Sequence, residues 1–432
     1  MSLSQSNHPN VWHPFTQAKT APPPLKVKAA QGVWLELEAG QRLMDCISSW
    51  WVNTHGHSHP HIAQALAHQA QTLEHVIFAG FSHEPAEKIS EKLAQKLPGD
   101  LNRVFFSDNG STAVEVALKM AYQYWQNQGE ARSTFLAFEG AYHGDTFGAM
   151  AVGERSLFTA AFEDLMFGVE FMPLPQTWWG DETVEEREQQ ILAAIRAQFE
   201  QHPQQYAAMI IEPLVQGAGG MRMSRPEFLR QLVQVCREAG VLVILDEVMT
   251  GFGRTGAWFA CERAGVEPDL ICLSKGITGG FLPLAVTVAT EHIYQAFYSD
   301  NPQHTLYHGH SYTANPLGCA AAIAGWDLME QNEPRFRGME ALHRRGLAAL
   351  QELPNVSRCR VTGTIAALEW SGDRSGYLSQ WGLQVRQKAR ERGLLLRPLG
   401  HVLYILPPYC ITEAELNWVY EQVAAILKEL SA

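Results

Sequence analysis

Lys275 closes an apolar run, Leu270–Leu273, and precedes Gly276. It is the only lysine between Lys119 and Lys388, a span whose solvated positions carry arginines and glutamates instead. Burial at a strand end lowers the pKa of an amine. An amine that is neutral part of the time can attack an aldehyde and form a Schiff base. Upstream, a second apolar run from Val241 ends in Asp246 and Glu247. An amine and a carboxylate past two strand ends suit pyridoxal phosphate (PLP), whose pyridine nitrogen needs a carboxylate to stay protonated. At about 4 Å and an effective dielectric of ~20, that pair is worth on the order of 4 kcal/mol. The plainer alternative is a strand-end lysine paired with a surface acid.

Gly251, Gly253 and Gly256 offer a rival chemistry, since they match G-x-G-x-x-G after a strand. A pyrophosphate there would be repelled by Asp246 and Glu247. Val248–Thr250 also separate the strand from the glycines, where a dinucleotide site wants a tight turn.

Other residues could serve a cofactor. Asp108–Thr112 joins a short strand, Val104–Ser107, to an apolar helix, Ala113–Trp125. Gly110 and Ser111 open that helix, and free N–H groups at a helix start bind anions. The same step also reads as a plain N-cap. Tyr142 and His143 follow a strand, Thr134–Phe138, where an aromatic ring can stack on a planar cofactor. Trp50 and Trp51 read either as core or as a wall for a flat substrate. Arg397 ends an apolar run and can clamp a carboxylate or form a structural ion pair. His55, His57, His59 and His61 alternate in a loop with Gly56, Ser58 and Pro60. Without a cysteine or carboxylate among them they lack closed four-ligand spacing, so a helix beginning after Pro60 is expected and no metal.

Strands and helices must hold these residues in place. Helical periodicity covers Ile62–Thr72, Pro85–Leu97 and Phe228–Ala239. Buried strands are expected at Ala207–Glu212 and Leu284–Ala289. This alternation predicts an α/β fold with a mostly parallel central sheet and helices on both faces. Thr177–Gln201 reads as a surface loop and acidic helix. One helix is expected from Asn315 to about Glu330 and another from Pro334 to Leu350. Short strands at Arg358–Val361, Ile365–Glu369 and Val402–Leu406 and a last helix from Glu413 make a smaller α+β domain. Gly32–Cys46 reads as a hairpin turning at Ala39 and Gly40. The division is residues 1–55 as an arm and hairpin belonging to the small domain, 56–325 as a large PLP-binding domain, and 326–432 as the C-terminal small domain.

With 46% hydrophobic and 18% charged residues, the 432-residue chain can bury a large core. Its net charge of −12 argues against nucleic acid and anionic membrane as partners. No basic-then-apolar leader and no membrane-length run are visible. Seven cysteines without a CxxC pair suggest reduced thiols and a cytoplasmic location.

The run DEVMTGFGRTG followed by PDLICLSKGITGG resembles the signature of class III aminotransferases of PLP fold type I. WHPFT, SSWWVNTHGHSHP, SDNGSTAVEVALKMA, GAYHGDTFGAM, IIEPLVQGAGGMRM and LLLRPLGHVLYILPPY are similar to the adenosylmethionine–8-amino-7-oxononanoate aminotransferase family, nearly end to end. The resemblance implies transfer of an amino group from S-adenosylmethionine to 8-amino-7-oxononanoate in biotin biosynthesis. It implies Lys275 as the Schiff-base lysine and Asp246 on the pyridine nitrogen, with Gly110 and Ser111 at the phosphate. Tyr142 would border cofactor and substrate, Trp50 and Gly309 the substrate, and Arg397 the donor carboxylate. His310 and Ser311 stand where the family has a Pro-Thr pair that binds phosphate from the neighbouring subunit, which implies a homodimer. Phe15 stands where the family commonly has a tyrosine whose hydroxyl helps recognise substrate; that hydrogen bond is worth roughly 0.5–1.5 kcal/mol. Alternatives are a related class III enzyme with lysine or an ω-amino acid as donor, and a non-catalytic PLP- or nucleotide-binding regulator.

Overall fold

The strands Tyr206–Ile211 and Leu242–Asp246 are buried along their whole length and lie side by side in parallel. Both faces of such strands are covered, which is why each reads as a continuous apolar run. Ile210 and Ile244 pack on one side with Ala113, Val114 and Ala117 of the helix Gly110–Asn127. Met209, Ile211, Val243 and Leu245 pack on the other with Phe228, Leu232 and Val235 of the helix Pro226–Glu238.

These strands centre a seven-stranded sheet in the order Leu101–Ser107, Ala285–Thr290, Leu270–Leu273, Leu242–Asp246, Tyr206–Ile211, Thr134–Phe138, Val169–Met172. Ala285–Thr290 is antiparallel to both neighbours, and the remaining pairs are parallel. The α/β class and the mostly parallel sheet are as the sequence predicts. The computed structural model describes residues 10–372 and 379–431. The first nine residues of the expected arm, and residues 373–378 and 432 of the expected C-terminal domain, lie outside the described residues.

A second sheet joins the two ends of the chain. Val27–Gln31, Trp34–Leu37 and Arg42–Asp45 form an antiparallel set. Leu394–Leu395 adds to it in parallel, with Leu395 opposite Asp45. A three-stranded antiparallel sheet of Val356–Thr362, Ile365–Trp370 and Val402–Ile405 completes the C-terminal part.

Two expectations fail. The helices expected on either side of residue 331 are one, Pro316–Gln351, with Pro334 inside it. Proline in a helix interior costs ~3 kcal/mol. The helix buries Trp326, Met329, Phe336 and Met339 before and after the proline, and burial of large apolar side chains at about 1.5–3 kcal/mol each outweighs that cost. The acidic helix Val184–Gln201 is not wholly surface. It buries Ile191, Leu192, Ile195 and Phe199, and its buried Glu188 is bonded by Arg225 at 2.9 and 2.6 Å.

Candidate active site

Parallel strands deliver their carboxyl ends to one side of a sheet. Glu212, Asp246 and Lys275 therefore emerge close together, and all three line one cleft of about 390 Å³. Gly110, Ser111, Tyr142, His143 and Trp51 line it too.

Asp246 is the last residue of its strand and is buried. Its Oδ1 accepts the N–H of Val248 at 3.0 Å, and its Oδ2 lies 2.6 Å from His143 Nδ1. His143 Nε2 is buried with no hydrogen-bond partner among the described residues. Sequence reasoning placed His143 only beside a strand end, next to Tyr142, and gave it no partner. Its partner lies 103 residues away, so no local pattern could have joined the two.

Lys275 has positive φ (44°), and its Nζ lies 5.5 Å from the centroid of the Trp51 ring. Burial pushes its ammonium below the ordinary lysine value, against the pull of Asp246 and Glu212, with Arg254 adding to the fall. Glu212 is a second residue that the sequence did not single out. Its oxygens accept the N–H groups of Tyr142 and Gly217, both at 2.9 Å. Burial first, and Asp246 after it, push its carboxyl up to about 7, against His143 and the two N–H donors.

The step into the helix Gly110–Asn127 is an N-cap that also borders the cleft. Asn109 caps it: its side chain accepts the Thr112 N–H at 3.0 Å, and Thr112 Oγ1 accepts the Asn109 N–H at 3.3 Å. Gly110 and Ser111 nonetheless border the cleft, and the first N–H groups of a helix have no acceptor within it. A Cβ on Gly110 would meet Val248 Cγ1 at 2.6 Å, so the helix start approaches the Asp246 turn as closely as it does because residue 110 has no side chain. Ser111 Oγ accepts the Asp145 N–H at 3.1 Å, and Tyr142 donates its hydroxyl to Asp145 at 3.1 Å. Burial and Asp145 push the Tyr142 phenol up. Glu115, one turn further along the helix, accepts from Thr146 Oγ1 and from the N–H groups of Gly148 and Ala149 at 2.5, 2.7 and 3.1 Å. One helix face thus holds the segment Asp145–Ala149.

The two tryptophans divide the roles open to them. Trp51 is core and cleft wall, 3% exposed, while Trp50 is 38% exposed. The guanidinium of Arg397 lies 4.6 Å from the Trp50 ring centroid, and Phe15 meets that ring edge-on at 5.5 Å. Phe15, Trp50 and Arg397 form a second cluster, joined to the cleft through Trp51. Gly309, His310 and Ser311 are not brought to this cleft; Gly309 and Ser311 are exposed on a loop where His310 donates its N–H to Thr313.

The glycine fingerprint serves another purpose. Arg254 is buried within it and donates to the carbonyls of Trp51, Asn53 and Pro407. No helix opens at Gly256; the next begins at Ala260. A Cβ on Gly253 would press on Tyr409 and Phe336 within about 3.0 Å. The glycines let the segment cross the C-terminal part of the chain. The histidine loop is likewise used by the protein. His57 Nε2 lies 2.9 Å from Asp45, and His55 Nδ1 lies 3.2 Å from Asn332. Burial pushes His55 down to about 3. The helix expected after Pro60 spans Pro60–Thr72.

The adenosylmethionine-8-amino-7-oxononanoate aminotransferase of Synechococcus elongatus is 63% identical over 98% of this chain and 100% of its own. The solved structure of the enzyme of that name from Methanocaldococcus jannaschii aligns with a TM-score of 0.91 at 34% identity, covering 98% of this chain and 97% of that one. An amine transaminase from an uncultivated Pseudomonas species, solved with PLP bound, aligns at 0.92 and 29% identity, covering 99% and 100%. The family model for class III aminotransferases matches residues 15–427, and the chain belongs to that family.

Proposed function

We propose that this chain moves the amino group of S-adenosylmethionine to 8-amino-7-oxononanoate, giving 7,8-diaminononanoate for biotin. The observation that carries transamination is the gathering of a burial-weakened amine, a held carboxylate and a helix start around one cleft. The choice of substrates rests on likeness to the Synechococcus enzyme.

PLP, the cofactor of the family, fits this set of groups. Lys275 would meet its aldehyde, Asp246 its ring nitrogen, and the Gly110 and Ser111 N–H groups its phosphate. When bound, PLP supplies an electrophilic carbon and a ring that withdraws electrons. The chain's own work is to hold and move protons around it. Lys275 Nζ would hold and move the proton of the donor carbon, a role that needs a pKa near the working pH. Asp246 is held by His143 and the Val248 N–H where the ring nitrogen would need a carboxylate. Tyr142 and Trp51 keep water out. Trp50 and Phe15 offer an apolar slot for an adenosyl group or a nine-carbon chain, and Arg397 takes the donor carboxylate.

The exposed Gly309–Ser311 loop suits service to a neighbouring subunit, so the working form is a homodimer with shared sites. Ser311 keeps the hydroxyl such a phosphate contact uses. The division at residues 55 and 325 and a cytoplasmic location belong to the same proposal. Among the described residues no helix is long and apolar enough to cross a membrane.

Phe15 favours a second reading. It has no hydroxyl with which to recognise S-adenosylmethionine, so lysine or an ω-amino acid could be the donor. The test is product analysis of the PLP-loaded protein with 8-amino-7-oxononanoate and a panel of donors. Diaminononanoate formed with S-adenosylmethionine supports the first reading; formation with lysine or alanine alone supports the second. Lys275→Ala should end multiple turnover with any donor, and retained turnover would remove Lys275 from the mechanism.

A further inference from the structure

Ser48–Trp51 is a helical turn of the unusual hand. Its four φ angles are 50°, 45°, 71° and 74°, and none of the residues is glycine. In a left-handed turn each Cβ crowds the following carbonyl oxygen. Such backbone persists only where its surroundings over-determine it.

Asp45 lies under the turn, wholly buried. Its Oδ1 accepts the Ile47 N–H at 3.1 Å. Its Oδ2 accepts the Ser49 hydroxyl at 2.8 Å and lies 2.9 Å from His57 Nε2. His57 is held in turn by paired backbone bonds with Gly32 at 2.7 and 3.2 Å. Other anchors fix the far side: Ser48 Oγ donates to Leu406 O at 2.8 Å, and Trp51 Nε1 donates to the Tyr404 hydroxyl at 3.0 Å. Asp45 bonds the start of the turn and its second residue together.

The hand of the turn decides where two indoles go. Trp51 faces Lys275 in the cleft, and Trp50 faces Arg397 and Phe15 outside it. A right-handed turn would carry the side chains round its axis in the opposite sense and take them from these positions. We propose that Asp45 is a positioning residue for transamination, which holds this left-handed turn and so seats Trp51 against the amine and Trp50 against the guanidinium. The proposal rests on the reading of those two faces as the sites of chemistry and of carboxylate binding. His57, and with it the histidine loop, then serves to fix Asp45.

The test is a double-mutant cycle on the PLP-loaded enzyme. Asp45→Ala removes all three bonds; Ser49→Gly removes one Cβ from the left-handed turn and with it the hydroxyl that meets Asp45 Oδ2, so Ser49→Ala, which removes that hydroxyl alone, is the control. Asp45→Ala is expected to lower kcat/KM at least tenfold, mostly through KM for a carboxylate-bearing donor, while PLP absorption is kept. In the Ser49→Gly background the same change should cost threefold or less, because the turn then needs less holding. Near-UV circular dichroism of the tryptophans should shift in Asp45→Ala and return towards wild type in the double variant. If Asp45→Ala does not accumulate as folded protein, Asp45→Asn takes its place, with a loss of at least threefold expected. Activity within twofold of wild type in the variant tested, or a loss that Ser49→Gly relieves no more than Ser49→Ala does, would overturn the proposal. Should wild type reject S-adenosylmethionine, the cycle runs with whichever amino acid donor it accepts, so the substrate reading can fail while this one is still decided.

Discussion

Glu212→Gln separates burial from charge at the heart of the cleft. The Glu212 carboxyl is pushed up to about 7 from an ordinary 4.5, chiefly by burial. Its folded pKa lies above its unfolded one, so it contributes full stability below pH 4.5, and that contribution is lost as pH rises through 7. A shift of this size corresponds to about 3 kcal/mol once the group is fully ionised. Between pH 5 and pH 8 the change is about 2–3 kcal/mol, and above pH 8 it levels off. Glutamine has the shape of the protonated acid and does not titrate. Its amide meets one of the two N–H donors, Tyr142 or Gly217, with a donor of its own, which costs about 1–3 kcal/mol. That cost is the same at every pH, so it displaces the curve without tilting it. The assay is urea unfolding of the cofactor-free protein at intervals from pH 5 to pH 8. The stability of Glu212→Gln minus that of wild type should rise by about 2–3 kcal/mol over this range. Parallel curves, or a difference that falls with pH, would refute the claim that burial rather than hydrogen bonding governs this carboxyl.

Three further changes probe the same cleft. His143→Leu takes away the partner 2.6 Å from Asp246 and leaves a buried carboxylate with the Val248 N–H alone; we expect a loss of about 3–5 kcal/mol in urea unfolding and weaker PLP binding by titration. Gly144→Ala sets a Cβ 2.1 Å from Ser111 Oγ at a φ of 131°, so Ser111 must move; PLP affinity should fall about tenfold in an absorbance titration, since overpacking of this kind costs about 1–3 kcal/mol. Asn109→Ala removes the cap of the helix behind that cradle and should lower unfolding free energy by about 1 kcal/mol, with a smaller effect on PLP affinity than Gly144→Ala.

What the sequence could and could not show follows from how far apart the interacting residues lie. Asp246 and Lys275 end short buried strands, and such strands announce themselves by unbroken apolar composition. Their place at strand ends was therefore legible, as was the helix start at Gly110. The Asp246–His143 pair and the seat of Glu212 were not. They depend on strands 242–246, 206–211 and 134–138 lying next to one another, and that order is written in no local pattern. Pro334 misled because a local rule, worth ~3 kcal/mol, yields to burial summed along a helix of 36 residues. The fingerprint glycines misled for a related reason. Glycine marks positive φ or close approach, and both Gly253 and Gly256 have positive φ, but the spacing alone cannot say whether an anion or a neighbouring chain segment comes close. Most hidden of all was the turn at Ser48–Trp51. Sequence rules assign left-handed backbone to glycine and asparagine, and this segment has neither. Its conformation is dictated from outside by Asp45, Leu406, Tyr404 and Arg254. All but Asp45 are distant in sequence and belong to segments that pack on the cleft only after the sheet has formed. The hand of the turn, and with it the position of both tryptophans, is thus a property of the assembled fold. Substitutions at Tyr404 should accordingly disturb the cleft wall at Trp51, although Tyr404 is fully buried behind it; Tyr404→Phe, which removes the acceptor of the Trp51 N–H, should shift the near-UV circular dichroism of the tryptophans, and an unchanged spectrum would place the control of that ring elsewhere.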